Sequence, residues 1–165
     1  MKTLLLVRHA KSSWDQDVAS DFDRPLNDRG KRDAPAMAAR LRDRKVQIDL
    51  IVSSPARRAR KTAEYFAREY GIRDKHIRLV ESLYAAPAPA FDPVIASLDD
   101  DFAHAALFSH NPGLTDYVNT LTSTRVDDMP TCGVYAVRCE VRHWADFAEA
   151  PKTFWFFDYP KHLSA

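Results

Sequence analysis

Short, continuous apolar runs recur along this chain, separated by stretches with helical character, and that alternation limits the fold more than any other feature. Thr3–Val7, Asp49–Val52, Ile77–Val80 and Ala105–Ser109 are too short for helices. The continuous apolar run of Thr3–Val7 suits a strand buried on both faces of a parallel sheet, Asp49–Val52 and Ala105–Ser109 read as further buried strands, and Ile77–Val80 reads as the third strand. Gly133–Val141 and Thr153–Phe157 read as two later strands joined through His143–Pro151. Strands alternating with helices predict an α/β fold, a three-layer α/β/α sandwich around a mainly parallel central sheet. With 165 residues, 45% hydrophobic and 28% charged, and no repeat or low-complexity linker, a single domain spanning residues 1–165 is the simplest organisation.

The helices are bounded by recognisable signals. Asn27 is placed to cap a helix running to about Arg44, with Met37, Ala38 and Leu41 on one face. Pro35 lies inside that span, so a kink or a later start near Asp33 is expected. Ser54-Pro55 reads as a cap followed by proline at the first helical position, with Gly71 closing the helix. Ala59, Thr62, Ala63, Phe66 and Tyr70 form its buried stripe, whereas Arg57, Arg60, Lys61 and Arg68 lie mostly elsewhere. Val94–Leu98 reads as a short helix, and Asn111-Pro112 as a second cap-then-proline start.

Charge and composition narrow the function classes. A formal net charge of +1 gives no whole-surface basic footprint for nucleic acid, and no stretch approaches the length of a membrane span. The chain has two cysteines, Cys132 and Cys139. Placed together on one strand they would stand roughly 23 Å apart, far beyond disulfide reach, so a reducing cytoplasm is expected.

Three strands end in similar chemistry. The first runs into Arg8-His9, the second into Ser53-Ser54 with Arg57 and Arg58 close behind, and the fourth into His110-Asn111. Open α/β sheets bind ligands beyond the carboxyl ends of their strands. Two imidazoles, at least two guanidinium groups and two helix N-termini would converge there, an arrangement that favours an anion, phosphate above all. A neutral imidazole among arginines is a nucleophile suited to phosphorus, passing through a phosphohistidine intermediate that water hydrolyses. Arg8, Arg58 and a protonated His110 would then supply alignment and charge neutralisation. Spacing alone does not choose between Arg57 and Arg58.

These residues resemble the histidine phosphatase superfamily, whose fold is that of phosphoglycerate mutase. Arg8-His9-Ala10 is similar to its RHG signature, Ser54 to Ala63 to its SPxxRAxxTA block, and Ser109 to Gly113 to its GHNPG block. Asp23 to Gly30 and the ending Tyr159-Pro160-Lys161 resemble the smaller SixA-type branch. The resemblance covers nearly the whole chain in order. It implies that His9 is the phosphorylated nucleophile, that Arg8 and Arg58 clamp phosphate, and that His110, with Asn111 beside it, binds the transferring group. It implies no cofactor and no metal. Two departures stand out. Asp15 replaces the asparagine of RHGxSxxN, and the glutamate acid of larger members has only Glu81 as a counterpart, out of its usual context. Glu81 and Asp15 are therefore the candidate general acids, each equally readable as a surface carboxylate.

The weak acid and the short Leu83–Ala105 connection, without a capping insert, suit phosphohistidine on a protein surface, such as a histidine phosphotransfer domain. A small-molecule phosphomonoesterase is the runner-up. A non-catalytic phosphate-binding module and a metal hydrolase are the readings from other classes, the latter without HxxxH or HxH spacing to support it. Trp14 reads either as lining the mouth of the site or as packing. Trp144, Trp155, Phe154, Phe156 and Phe157 read as core or edge packing, and His76, His104, His143 and His162 have no partner spacing.

Overall fold

The computed structural model describes residues 1–14 and 20–161. Six strands form one sheet in the order β3-β2-β4-β1-β5-β6, where β1 is Lys2–Arg8, β2 Leu50–Ser53, β3 Arg78–Leu79, β4 His104–Ser109, β5 Val134–Cys139 and β6 Lys152–Asp158. The first four in that order pair in parallel, and β5 and β6 add antiparallel. The sandwich follows from strand alternation. Leu4 and Leu6 point into one core with Phe91, Leu114 and Trp144; Leu5 and Val7 point into the other with Met37, Leu41 and Phe66. Two helices, α1 (Asp28–Asp43) and α2 (Arg57–Glu69), contribute to the second core. Two shorter ones, α3 (Phe91–Ala96) and α4 (Gly113–Val118), contribute to the first.

Several boundaries differ from the expectations, each for a local reason. Helix α1 starts at Asp28 with the Asn27 side chain accepting from the Gly30 N–H, and runs unbroken through Pro35 rather than starting near Asp33. Pro35 has no N–H to give the Lys31 carbonyl, and Lys31 is exposed. Helix α2 starts at Arg57, not at Pro55, and Ser54 is not its cap; Ala56 holds that position without a side-chain bond. Its other end is as expected: Gly71 takes φ 70°, and the Ile72 N–H returns to the Ala67 carbonyl. Helix α3 starts before Val94, at Phe91, and tolerates Pro93 because a first-turn N–H needs no helical partner. Helix α4 starts at Gly113, after a cis Asn111–Pro112 peptide.

The third strand shrinks to Arg78–Leu79, both exposed at the sheet edge. Cys132 lies outside β5, with φ 60°, while Cys139 ends it; both are buried and free. Trp144 is fully buried, whereas Phe154, Trp155, Phe156 and Phe157 are half-buried on the edge strand β6. Among the described residues, no helix is long and apolar enough to cross a membrane.

Candidate active site

Sheet register puts the key residues together. β1 and β4 are adjacent and parallel, with Arg8 opposite Ser109, so the residues that follow, His9 and His110, leave the sheet side by side. Their ring centroids are 5.1 Å apart. β2 pairs with the other side of β4 and delivers Ser53 and Ser54 at the same edge. The result is a cavity of about 340 Å³ lined by Arg8, His9, Arg58, His110 and Asn111, among others. The four residues marked in sequence as the phosphate-handling set therefore converge.

His9 is 7% exposed, and its Nδ1 lies 2.7 Å from the carbonyl of Ala10. A carbonyl can only accept, so Nδ1 carries the proton. In the neutral ring the Nε2 lone pair is then free. Burial pushes the His9 pKa well below its ordinary value, and His110, Arg58 and Arg8 push it further; the Ala10 hydrogen bond opposes them without prevailing. The backbone around the ring is pinned by Thr62, which accepts from the Ala10 N–H at 2.9 Å and donates to the Arg58 carbonyl at 2.8 Å. Thr62 thus joins the His9 loop to the helix that carries Arg58.

The His110 pKa is lowered as well, away from the imidazolium that the sequence led us to expect beside a bound phosphate. Burial first, then Arg58, lowers its pKa to about 4, against a smaller opposing pull from Asp21. Its Nε2 lies 2.8 Å from Ser54 Oγ, which also accepts from the Ala56 N–H. These bonds explain why Ser54 does not cap α2: its hydroxyl is committed to the site. Arg8 donates to the Met129 carbonyl at 2.8 Å. Arg8 Nε, Arg58 Nε and His110 Nδ1 are buried without a hydrogen-bond partner among the described residues. Unmet buried polar groups are costly, and these three belong to residues that line the same cavity.

Asp21, Arg24 and Tyr84 were not marked as functional in sequence. Arg58 donates Nη1 to the Asp21 carbonyl at 2.7 Å and Nη2 to its carboxylate at 3.0 Å. Arg24 donates to the same carboxylate at 2.8 Å and Tyr84 at 2.7 Å. These bonds, Tyr84 first, hold the Asp21 carboxyl well below the usual carboxylate range. Arg24 also reaches the Ser13 carbonyl and the Ser12 hydroxyl, and its guanidinium stacks 3.4 Å from the centre of the Trp14 ring. Trp14 is 76% exposed and lines the cavity, so it belongs to the mouth and not to the packing. The available signal was the Asp23-Arg24-Pro25-Leu26 block, which carried the resemblance but no assigned chemistry.

Other candidates fare differently. Glu81 is exposed in a single turn and does not line the cavity; its segment delivers Tyr84 and Ala85 instead. Asp15 and His162 lie outside the described residues. Asn111 lines the cavity, but its amide is spent on structure. It donates to Asp128 and the Met129 carbonyl, and its oxygen accepts from Thr115. Among the described residues no cluster of three or more histidine, cysteine or carboxylate groups is arranged to hold a metal ion.

A family model described as the histidine phosphatase superfamily (branch 1) matches residues 4–84. An uncharacterized protein of Mycobacterium tuberculosis is 31% identical over 150 residues, covering 85% of this chain and 90% of that one. A crystal structure from Agrobacterium tumefaciens, assigned as a SixA phosphohistidine phosphatase, is similar with a TM-score of 0.80 and 27% identity over 96% of this chain and 98% of the other. The protein histidine phosphatase SixA in complex with tungstate shares the fold, with a TM-score of 0.82 at 22% identity over 98% and 99% of the two chains.

Proposed function

Because the chain belongs to the histidine phosphatase superfamily, we propose that it is a phosphatase with His9 as nucleophile, acting on phosphohistidine carried by a protein. The observation that supports the nucleophile is the state of His9: neutral, with Nδ1–H committed to the Ala10 carbonyl and the Nε2 lone pair free, beside Arg8 and Arg58. Nε2 attacks phosphorus, the bond from phosphorus to the leaving atom breaks, and its electron pair departs with the leaving group. Arg8 and Arg58 neutralise the phosphoryl oxygens as charge redistributes. Ser54 Oγ takes up His110 Nε2, which leaves Nδ1, without a partner among the described residues, available to the transferring group. Water then attacks the phosphohistidine. Because Nδ1 of His9 is already protonated, the ring leaves as neutral imidazole, and both protons of the attacking water depart with the phosphate product as dihydrogen phosphate.

The substrate class rests on the proton donor. Among the described residues lining the cavity, Asp21 is the one carboxylate, and three hydrogen bonds hold it ionised. An ionised carboxylate has no proton to give an alkoxide. A phosphohistidine whose distal nitrogen is protonated needs none, because its imidazole leaves neutral. The exposed mouth at Trp14 and the absence of an insert between Leu83 and β4 suit a phosphoryl group presented on a protein surface. The two buried free cysteines suit a reducing cytoplasm.

The test is phosphate release from para-nitrophenyl phosphate and from a phosphohistidine protein, with and without EDTA, for the wild type and His9→Ala. The proposal expects EDTA-resistant turnover, faster on phosphohistidine, that disappears in the variant. A much faster rate on the ester transfers the function to small phosphomonoesters. Loss with EDTA, or no turnover on either substrate, overturns it.

A further inference from the structure

A second cavity, of about 210 Å³, lies on the other side of two segments that build the first. Its lining is Pro25, Leu26, Lys31, Arg57, Lys61 and Tyr65. Arg24 lines the catalytic cavity while Pro25 and Leu26 line this one, and Arg58 lines the catalytic cavity while Arg57 lines this one. Consecutive Cα atoms are only about 3.8 Å apart, so the two hollows are neighbours across a thin wall of chain.

The chemistry of this hollow is specific. Arg57, Lys61 and Tyr65 recur every fourth residue and form one stripe of α2, and Lys31 of α1 joins them. Like charges at i and i+4 repel, so Arg57 and Lys61 are placed at a local cost. Lys31 and Arg57 are exposed and have no acidic partner among the described residues. Lys61 has only a share of Glu64, which also takes Arg60. The whole chain carries a net charge of only +1, so three cations around one hollow form a local concentration and not a general property of the surface. Beneath them Pro25, Leu26 and Tyr65 provide an apolar floor.

We infer that this hollow is a docking surface for an acidic segment of the phosphorylated protein, adjoining the phosphohistidine in its chain. Carboxylates of the segment pair with Lys31, Arg57 and Lys61 while the phosphoryl group sits against His9, so the enzyme selects its partner by charge next to the reaction centre. Exposed charges of this kind act on encounter and affinity more than on chemistry. The inference rests on the protein-phosphohistidine reading above.

Two synthetic phosphohistidine peptides separate the possibilities, one with four flanking aspartate or glutamate residues and one with asparagine and glutamine in their place. For the wild type the acidic peptide is expected to have a KM about tenfold lower than the neutral one, from several exposed ion pairs acting together. In the double variant Lys31→Glu/Arg57→Glu that preference disappears or reverses, while kcat on both peptides and on para-nitrophenyl phosphate is unchanged. An equal preference in wild type and variant, or none in wild type, overturns the docking surface and leaves phosphohistidine turnover standing. Hydrolysis of para-nitrophenyl phosphate with neither peptide turned over overturns the substrate reading instead. Titration with the unphosphorylated acidic peptide then decides the surface: binding weakened in the double variant upholds it, and equal binding overturns it.

Discussion

Asp21 grips Arg58 at two points, its backbone carbonyl 2.7 Å from Nη1 and its carboxylate 3.0 Å from Nη2. The same carboxylate binds Arg24, so one acidic side chain fixes two cations of the cavity and offsets part of their charge. Asp21→Asn keeps the shape and removes the charge. Product inhibition should strengthen, with the Ki for inorganic phosphate falling about threefold, because half-exposed ion pairs carry modest energies. An unchanged Ki means that Asp21 does not compete electrostatically with phosphate.

The two buried histidines make stability depend on pH in a defined window. His110 titrates at about 4 in the folded chain and near 6.5 when unfolded, so between those values the unfolded chain binds a proton that the folded chain refuses. Urea denaturation across that range should show that pH dependence, reduced in His110→Gln. Activity follows the same logic. The acid limb of kcat/KM, corrected for the substrate's own ionisation, should lie below pH 6.5. A limb at or above 6.5 would contradict the lowered histidine pKa values.

Ser54 is a positioning residue. Its buried hydroxyl bonds His110 Nε2 and accepts from the Ala56 N–H, so Ser54→Ala leaves both without that partner. A loss of about 1–3 kcal/mol in stability is expected from such unmet groups. kcat should fall by more than KM rises, since Arg8 and Arg58 are untouched. Ser54→Thr, which retains the hydroxyl, should recover much of the kcat. Equal damage by both substitutions would point to packing alone.

Gly113 explains the glycine that follows His110-Asn111-Pro112. A Cβ there would stand 1.7 Å from the Ala86 carbonyl oxygen, an impossible contact with backbone. Gly113→Ala must push the Ala86 segment away, and Tyr84 with it, at a cost of about 1–3 kcal/mol. Thermal unfolding measures the cost, and a weakened Tyr84–Asp21 contact should appear as a raised Asp21 pKa by NMR. A wild-type melting temperature would contradict the close approach.

How much of this was legible in the sequence depended on whether the residue's role is local. Leu4–Val7 announced a doubly buried strand because every one of its side chains is apolar, and strand ends then placed His9 and His110 at the same edge. Arg58 was separable from Arg57 by resemblance alone; the structure shows the reason in burial, with Arg58 6% exposed and Arg57 on the outer face. Asp21 and Arg24 were not legible. Their segment has no periodicity to place it, and it reaches the cavity because the Ser12–Leu26 bridge and the Ser13 N–H to Pro25 carbonyl bond fold it back. Ser54 was misread because a serine before a proline has the composition of a cap, and nothing local reveals a bond to a histidine 56 positions away. Glu81 sits where expected, after the third strand, but that strand is two residues long and the Glu81 side chain is exposed, outside the cavity lining.

Rapid quenching during turnover, followed by peptide mapping under alkaline conditions, tests the central claim most directly. The account predicts one acid-labile, base-stable phosphoryl group on the peptide containing His9, forming and decaying at rates compatible with turnover and absent from His9→Ala. Phosphate on any other residue, or full turnover by the variant, would contradict it.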